Sequence, residues 1–143
     1  MIFDAAGNLY GTTYGGGLNA NNGDGTVFEL SPMAGGGWTE KILHNFNQGS
    51  DDGAEPAAGL IFDSAGNLYG TTRLGGSSAY GTVFELTPQS DGTWTETILH
   101  NFSANGDGSE PYGNLIFDGA GNLYSTTALG GAESVGTAFE VTP

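Results

Sequence analysis

His44 and His100 are the two histidines of this chain, and they occupy one place in two copies of a motif, Ile42-Leu43-His44-Asn45-Phe46 and Ile98-Leu99-His100-Asn101-Phe102. Imidazole suits acid–base chemistry near neutrality and the binding of transition metals. The surrounding sequence supplies neither a nucleophile nor a third ligand, and a single active site has no need of the same histidine in each copy. Both are therefore read as structural residues on strands, and no catalytic residue is assigned.

Carboxylates gather in two matching segments, Asp51-Asp52-Gly53-Ala54-Glu55-Pro56 and Asp107-Gly108-Ser109-Glu110-Pro111. Asp51, Asp52, Glu55, Asp107 and Glu110 are the oxygen donors that a calcium ion would take, and calcium is the one cofactor this sequence suggests. Neither segment has the alternation and closing bidentate glutamate of an EF-hand loop, so a turn stopped by proline is the favoured reading.

Aromatic rings form a third set. Trp38 and Trp94 recur at one repeat position, whereas Tyr14, Tyr80 and Tyr112 lie in or beside loops of differing sequence. Their faces suit stacking on pyranose rings, and the non-recurring tyrosines are the better recognition candidates.

Other chemistries are excluded or discounted. There are no cysteines, hence no disulfide, thiolate site or thiol nucleophile. Gly15-Gly16-Gly17 and Gly35-Gly36-Gly37 lack the Lys-Ser/Thr ending of a phosphate loop. Sixteen acidic residues against Lys41 and Arg73 give a net charge of -14, which repels nucleic acid and anionic membranes. No signal segment or long apolar run is present.

The elements that carry these residues follow from an internal repeat. Ile2 to Thr13 aligns with Ile61 to Thr72 and with Ile116 to Thr127, and Gly25-Thr26-Val27-Phe28-Glu29-Leu30 aligns with Gly81 to Leu86 and Gly136 to Val141. Met1, Leu60 and Leu115 thus start successive copies, dividing the chain into units 1–59, 60–114 and a partial unit 115–143. Each full unit reads as four strands, Leu60 to Phe62, Asn67 to Thr72, Gly81 to Pro88 and Trp94 to Phe102 in the second copy. Leu68 and Tyr69 fall on opposite faces, and Gly70 leaves room for a neighbouring sheet. Strands this short and turns this dense predict an all-β chain of β-propeller-like four-stranded antiparallel blades, two complete and a third without its outer strand. An extended β-solenoid is the rival architecture.

The combination Gly66-Asn67-Leu68-Tyr69-Gly70-Thr71-Thr72, Gly81-Thr82-Val83-Phe84-Glu85-Leu86 and Ile98-Leu99-His100-Asn101-Phe102, followed by Asp107-Gly108 and Pro111, resembles the GloVer (Gloeo_Verruco) repeat family. The hairpin Asp-X-X-Gly-Asn-Leu-Tyr is also similar to the opening of NHL-type propeller blades. The resemblance implies a bacterial tandem-repeat protein placed outside the cell or on its surface.

The first expectation for function is a non-enzymatic extracellular repeat module for binding or self-assembly. A carbohydrate-binding, lectin-like propeller is the alternative, and an enzyme acting on polysaccharide comes third. The third copy stops at Pro143, the counterpart of Pro32 and Pro88, so the sequence is expected either to belong to a longer propeller or to associate with itself, with a dimer of about six blades as the first guess.

Overall fold

The computed structural model describes residues 1–18, 23–48, 52–103 and 106–143. Asp51, one of the candidate calcium ligands, lies outside them. All regular structure among the described residues is β.

The first sheet pairs β1 (Ile2–Phe3), β2 (Leu9–Thr13), β3 (Thr26–Pro32) and β4 (Trp38–Asn45) in chain order. Two further short strands, β5 (Gly53–Ala54) and β8 (Leu74–Gly75), pair with each other. The second sheet repeats the first with β6 (Ile61–Phe62), β7 (Leu68–Thr72), β9 (Thr82–Pro88) and β10 (Trp94–Asn101). In the third, β12 (Ile116–Phe117) and β14 (Ala138–Val141) flank the long β13 (Leu123–Leu129), whose far end takes β11 (Ser109–Pro111). The result is three propeller-type antiparallel blades that do not close into a barrel.

The hairpin that opens each blade is built by one carboxylate. Asp4 Oδ1 accepts from the backbone N–H of Ala6 and Asn8, both at 2.9 Å, while Oδ2 accepts from Asn8 Nδ2 at 2.9 Å and from the Tyr10 hydroxyl at 3.3 Å. Asp63 and Asp118 make the same four bonds with their own copies. Hence the Asp-X-X-Gly-Asn-Leu-Tyr pattern: the aspartate satisfies the turn, the asparagine and tyrosine satisfy the aspartate.

Alternation along β2 and β7 then gives every blade two apolar faces. Tyr10, Val27, Leu43 and Phe46 of the first blade pack against Leu60, Leu68, Phe84 and Leu86 of the second. On its other side the second blade offers Tyr69, Val83 and Phe102 to Leu115, Leu123 and Val141 of the third. Leu68 and Tyr69 do lie on opposite faces, as their adjacency in a strand requires. With each fully buried Leu or Phe worth roughly 1.5–3 kcal/mol, these two seams are the main source of stability.

Gly70 has a different neighbour from the one expected of it. A Cβ there would stand 2.5 Å from Phe84 Cζ and 3.0 Å from Leu60 Cδ2, both in its own blade. The Phe84 ring lies across the glycine from the adjacent strand and meets Phe46 of the first blade edge-on, the centroids being 5.2 Å apart.

The Asp-Gly-X-Glu-Pro segments are more than turns. Gly53 and Ala54 leave the first blade and pair with Gly75 and Leu74, beyond the second strand of the next blade. Ser109 and Pro111 repeat this with Leu129 and Thr127. Pro111 also packs on Gly81, which has φ +100° and whose added Cβ would stand 2.4 Å from Thr72 O and 2.8 Å from Pro111 Cδ.

Gly81→Ala is accordingly expected to lose about 1–3 kcal/mol through backbone strain alone, lowering the melting temperature by roughly 5–10 °C, because both the φ and the space are unavailable to alanine. Gly35→Ala, where nothing lies within 4 Å and φ is ordinary, is the control and should melt with the parent in differential scanning calorimetry.

Candidate functional site

Strand β4 carries His44 near its end, and a bulge there decides what the ring meets. Pairing of β3 with β4 slips between Val27 and Phe28, so His44 pairs with Val27 while Ile42 pairs with Phe28. The same slip between Ile98 and His100 recurs in the second blade. Without it, Glu96 and His100, four residues apart, would share one face. With it, the histidine of each blade turns toward the following blade and the glutamate toward the preceding one.

The first two blades consequently bring three ionisable groups together. His44 Nε2 lies 3.2 Å from Asp52 Oδ1 and 3.6 Å from Glu96 Oε2. Asp52 comes from the linker after the first blade and is held by backbone donors, Asn47 N at 2.9 Å to Oδ2 and Gly53 N at 2.6 Å to Oδ1. The His44 ring rests edge-on against Phe46 with centroids 4.7 Å apart. Glu96 is 11% exposed, and its Oε1 is shielded from solvent without a hydrogen-bond partner.

Burial pushes the Glu96 carboxyl up to about 8; the His44 charge draws it down, and Asp52 pushes it up further. Burial alone would lower the His44 imidazole, but the bond from Asp52 and the charges of Glu96 and Asp52 outweigh it and raise it above its ordinary value.

His100 and Asp107 repeat part of this arrangement at the second seam, with Nε2 3.1 Å from Asp107 Oδ2. The glutamate position of a following outer strand is not represented there among the described residues. Both side chains are about a third exposed, against less than a fifth for His44 and Asp52.

The acidic segments do not converge on one site. Asp52 and Asp107 each serve a histidine, whereas Glu55 and Glu110 both turn to Arg73. Arg73 Nη1 pairs with Glu55 and contacts the Tyr14 hydroxyl at 3.0 Å, and its Nε donates to Glu110 at 3.0 Å. Glu110, Glu55 and Tyr14 all raise the guanidinium's pKa above its usual value.

The aromatic candidates divide between the two ends of the blades. Tyr14, Tyr80 and Tyr112 are exposed at the linker end, beside Arg73 and the Glu-Pro turns. Trp38 and Trp94 start the outer strands at the hairpin end. Trp38 is exposed, while Trp94 is half-buried against Tyr10, centroids 6.4 Å apart. Trp94, Tyr10, Phe62 and Pro88 line a groove of about 560 Å³ between the first two hairpins. A second groove, of about 470 Å³, lies between the hairpins of the next two blades and includes Phe62, Tyr69 and Phe117.

Glu96 is the residue that sequence reasoning missed as a site member. Its counterpart Glu40, two residues after Trp38 as Glu96 is after Trp94, was the available signal. Only the bulge and the stacking of blades connect that glutamate to a histidine 52 residues away.

The titration of this cluster has a direct consequence. Between the ordinary carboxyl value near 4.5 and about 8, native Glu96 keeps a proton that the unfolded chain gives up, and the raised His44 acts in the same direction above 6.5. Stability should therefore fall as pH rises from 5.5 to 8.5 in chelator-treated buffer, by up to a few kcal/mol. Thermal unfolding across this range checks it, and Glu96→Gln should flatten the dependence.

In comparison with known proteins, a family model described as the Gloeobacter/Verrucomicrobia repeat matches residues 1–143. No curated protein and no solved structure matches the chain.

Proposed function

Because the chain belongs to the Gloeobacter/Verrucomicrobia repeat family along its whole length, we propose that it is a non-catalytic, extracellular repeat module whose blades assemble head to tail with blades of a second copy. The extracellular setting is what the family resemblance implies. The assembly reading is supported by one observation, the repetition of a single interface within the chain and the exposure of both of its halves at the outer blades.

Met1 corresponds to Leu60 and Leu115, which are 2% and 1% exposed, yet Met1 is 75% exposed. Phe3 and Ile42, the counterparts of the half-buried Phe62 and Ile98, are 64% and 41% exposed. The third blade presents the opposite half. Ile116, the counterpart of Ile2 and Ile61, which pack into the two seams, is 64% exposed, and Tyr124 stands where Tyr10 and Tyr69 are buried. The two outer faces thus carry the two complementary halves of the seam, and joining them is a heterologous contact that closes a ring only if the rotation per blade allows it. Exposed apolar patches of this kind mark interaction surfaces.

Net charge opposes the contact, since each copy carries -14. Screening by salt should therefore strengthen assembly rather than weaken it.

Multi-angle light scattering at micromolar concentration should give a mass of at least twice 14.6 kDa, increasing with added sodium chloride. Phe3→Asp with Ile42→Lys should return it to the single-chain mass with an unchanged circular dichroism spectrum, because both residues are already solvent-exposed. A folded parent chain at 14.6 kDa in high salt refutes the reading.

The grooves between hairpins favour a second reading, carbohydrate binding, because Trp94 and Phe62 offer ring surface beside polar turns. Asp4 and Asp63 in that groove are already committed to their turn hydrogen bonds. Sugar recognition there would rest on stacking, and it should vanish from a glycan array on Trp94→Ala.

A further inference from the structure

We propose that the seam between the first two blades is a binding site for a divalent transition-metal ion, with His44 Nε2, Asp52 and Glu96 as its ligands and zinc as the ion best matched to them. The candidate set of one imidazole and two carboxylates spans two blades and the linker between them.

Geometry carries the assignment. Zinc holds imidazole nitrogen at about 2.0–2.1 Å and carboxylate oxygen at about 2.0–2.2 Å, so neighbouring ligands in a tetrahedron stand roughly 3.3–3.5 Å apart. His44 Nε2 lies 3.2 Å from Asp52 Oδ1 and 3.6 Å from Glu96 Oε2, and all three ligand atoms fall within 4.8 Å of one another. Two edges of the tetrahedron are already drawn. The third edge joins the two carboxyl groups, Asp52 and Glu96, which already sit within hydrogen-bonding reach of each other.

The buried carboxylate supplies the second observation. Glu96 is 11% exposed; its Oε2 faces His44, and the other oxygen of the same carboxyl group, Oε1, is shielded from solvent without a hydrogen-bond partner. A buried carboxyl oxygen without a partner costs stability unless something binds it. Imidazole among the donors selects a first-row transition ion over calcium or magnesium, which take oxygen ligands in larger number. Asp52 is fixed in place by the N–H groups of Asn47 and Gly53, the kind of outer support that holds a ligand before the ion arrives.

The second seam provides an internal control. His100 and Asp107 sit 3.1 Å apart in the same relation, but their side chains are about a third exposed and no carboxylate equivalent to Glu96 faces them among the described residues. One seam has three ligands and the other two, so one ion per chain is expected.

Isothermal titration of the chelator-stripped full chain with zinc chloride at pH 7.5 tests this. The expected result is one saturable equivalent with micromolar or tighter affinity and a melting temperature raised by the ion. Glu96→Gln, isosteric with the neutral carboxyl and so expected to fold, should weaken binding at least tenfold, and His44→Gln should abolish it. His100→Gln should leave it unchanged. Cobalt(II) should give the visible absorption of a tetrahedral site in the parent and not in His44→Gln. Unsaturable uptake, equal uptake by parent and Glu96→Gln, equal loss in His44→Gln and His100→Gln, or full displacement of zinc by millimolar calcium would each overturn the assignment.

Discussion

Everything in this structure depends on the fact that its sheets are apolar on both faces. A four-stranded sheet with Leu68, Phe84 and Leu86 on one side and Tyr69 and Val83 on the other has no solvated side. It must be covered twice, and among the described residues the cover is another copy of the same sheet. Face-to-face stacking is thus a requirement of the strand pattern, and the hairpin turns, the inter-blade ribbons and the grooves are all arranged around it. The short pairings Gly53–Gly75 and Ser109–Leu129 join each blade to its successor at the edge while the side chains join them at the face.

Charge follows the same geometry. The chain has two cationic side chains, and both act across blades. Lys41 Nζ on the first blade donates to Gly92 O on a turn of the second at 2.6 Å, and Arg73 binds the glutamates of the two successive linkers. Of the carboxylates, Asp4, Asp63 and Asp118 are spent on turns, and the hydrogen bonds from Asn8, Asn67 and Asn122 hold them below the usual carboxylate range. Part of this acid excess is held by local donors, Asp52 by the N–H groups of Asn47 and Gly53 and Glu55 and Glu110 by Arg73, and Glu96, with its shielded Oε1, is the buried exception.

The fold was legible in the sequence where its information is local. The Asp-X-X-Gly-Asn-Leu-Tyr hairpin closes within seven residues, and the adjacency of Leu68 and Tyr69 forces opposite faces, so strand order and blade count could be read directly. Legibility ended where distance in sequence and distance in space part. Glu96 reads as a polar residue on an outer strand because period-two counting puts it on the face of His100, and the bulge between Ile98 and His100 inverts that count. Asp52 and Glu55 read as one acidic turn, yet their side chains part toward His44 and Arg73 because Glu55 takes a left-handed backbone, φ 56°. Arg73 has no counterpart in the other copies, so no periodic signal marked it. The Asp-Gly-X-Glu-Pro segment has the composition of a turn, and its pairing with the adjacent blade makes it half of a ribbon.

The bulge in the outer strand has a historical consequence. Since it makes the outer strand of the second blade look backward through Glu96 and forward through His100, a substitution at Glu96 alters a junction whose other half, His44, is encoded 52 residues away. Tandem copies bound in this way are best preserved by duplicating or deleting whole units in register, which renews both halves of a junction at once.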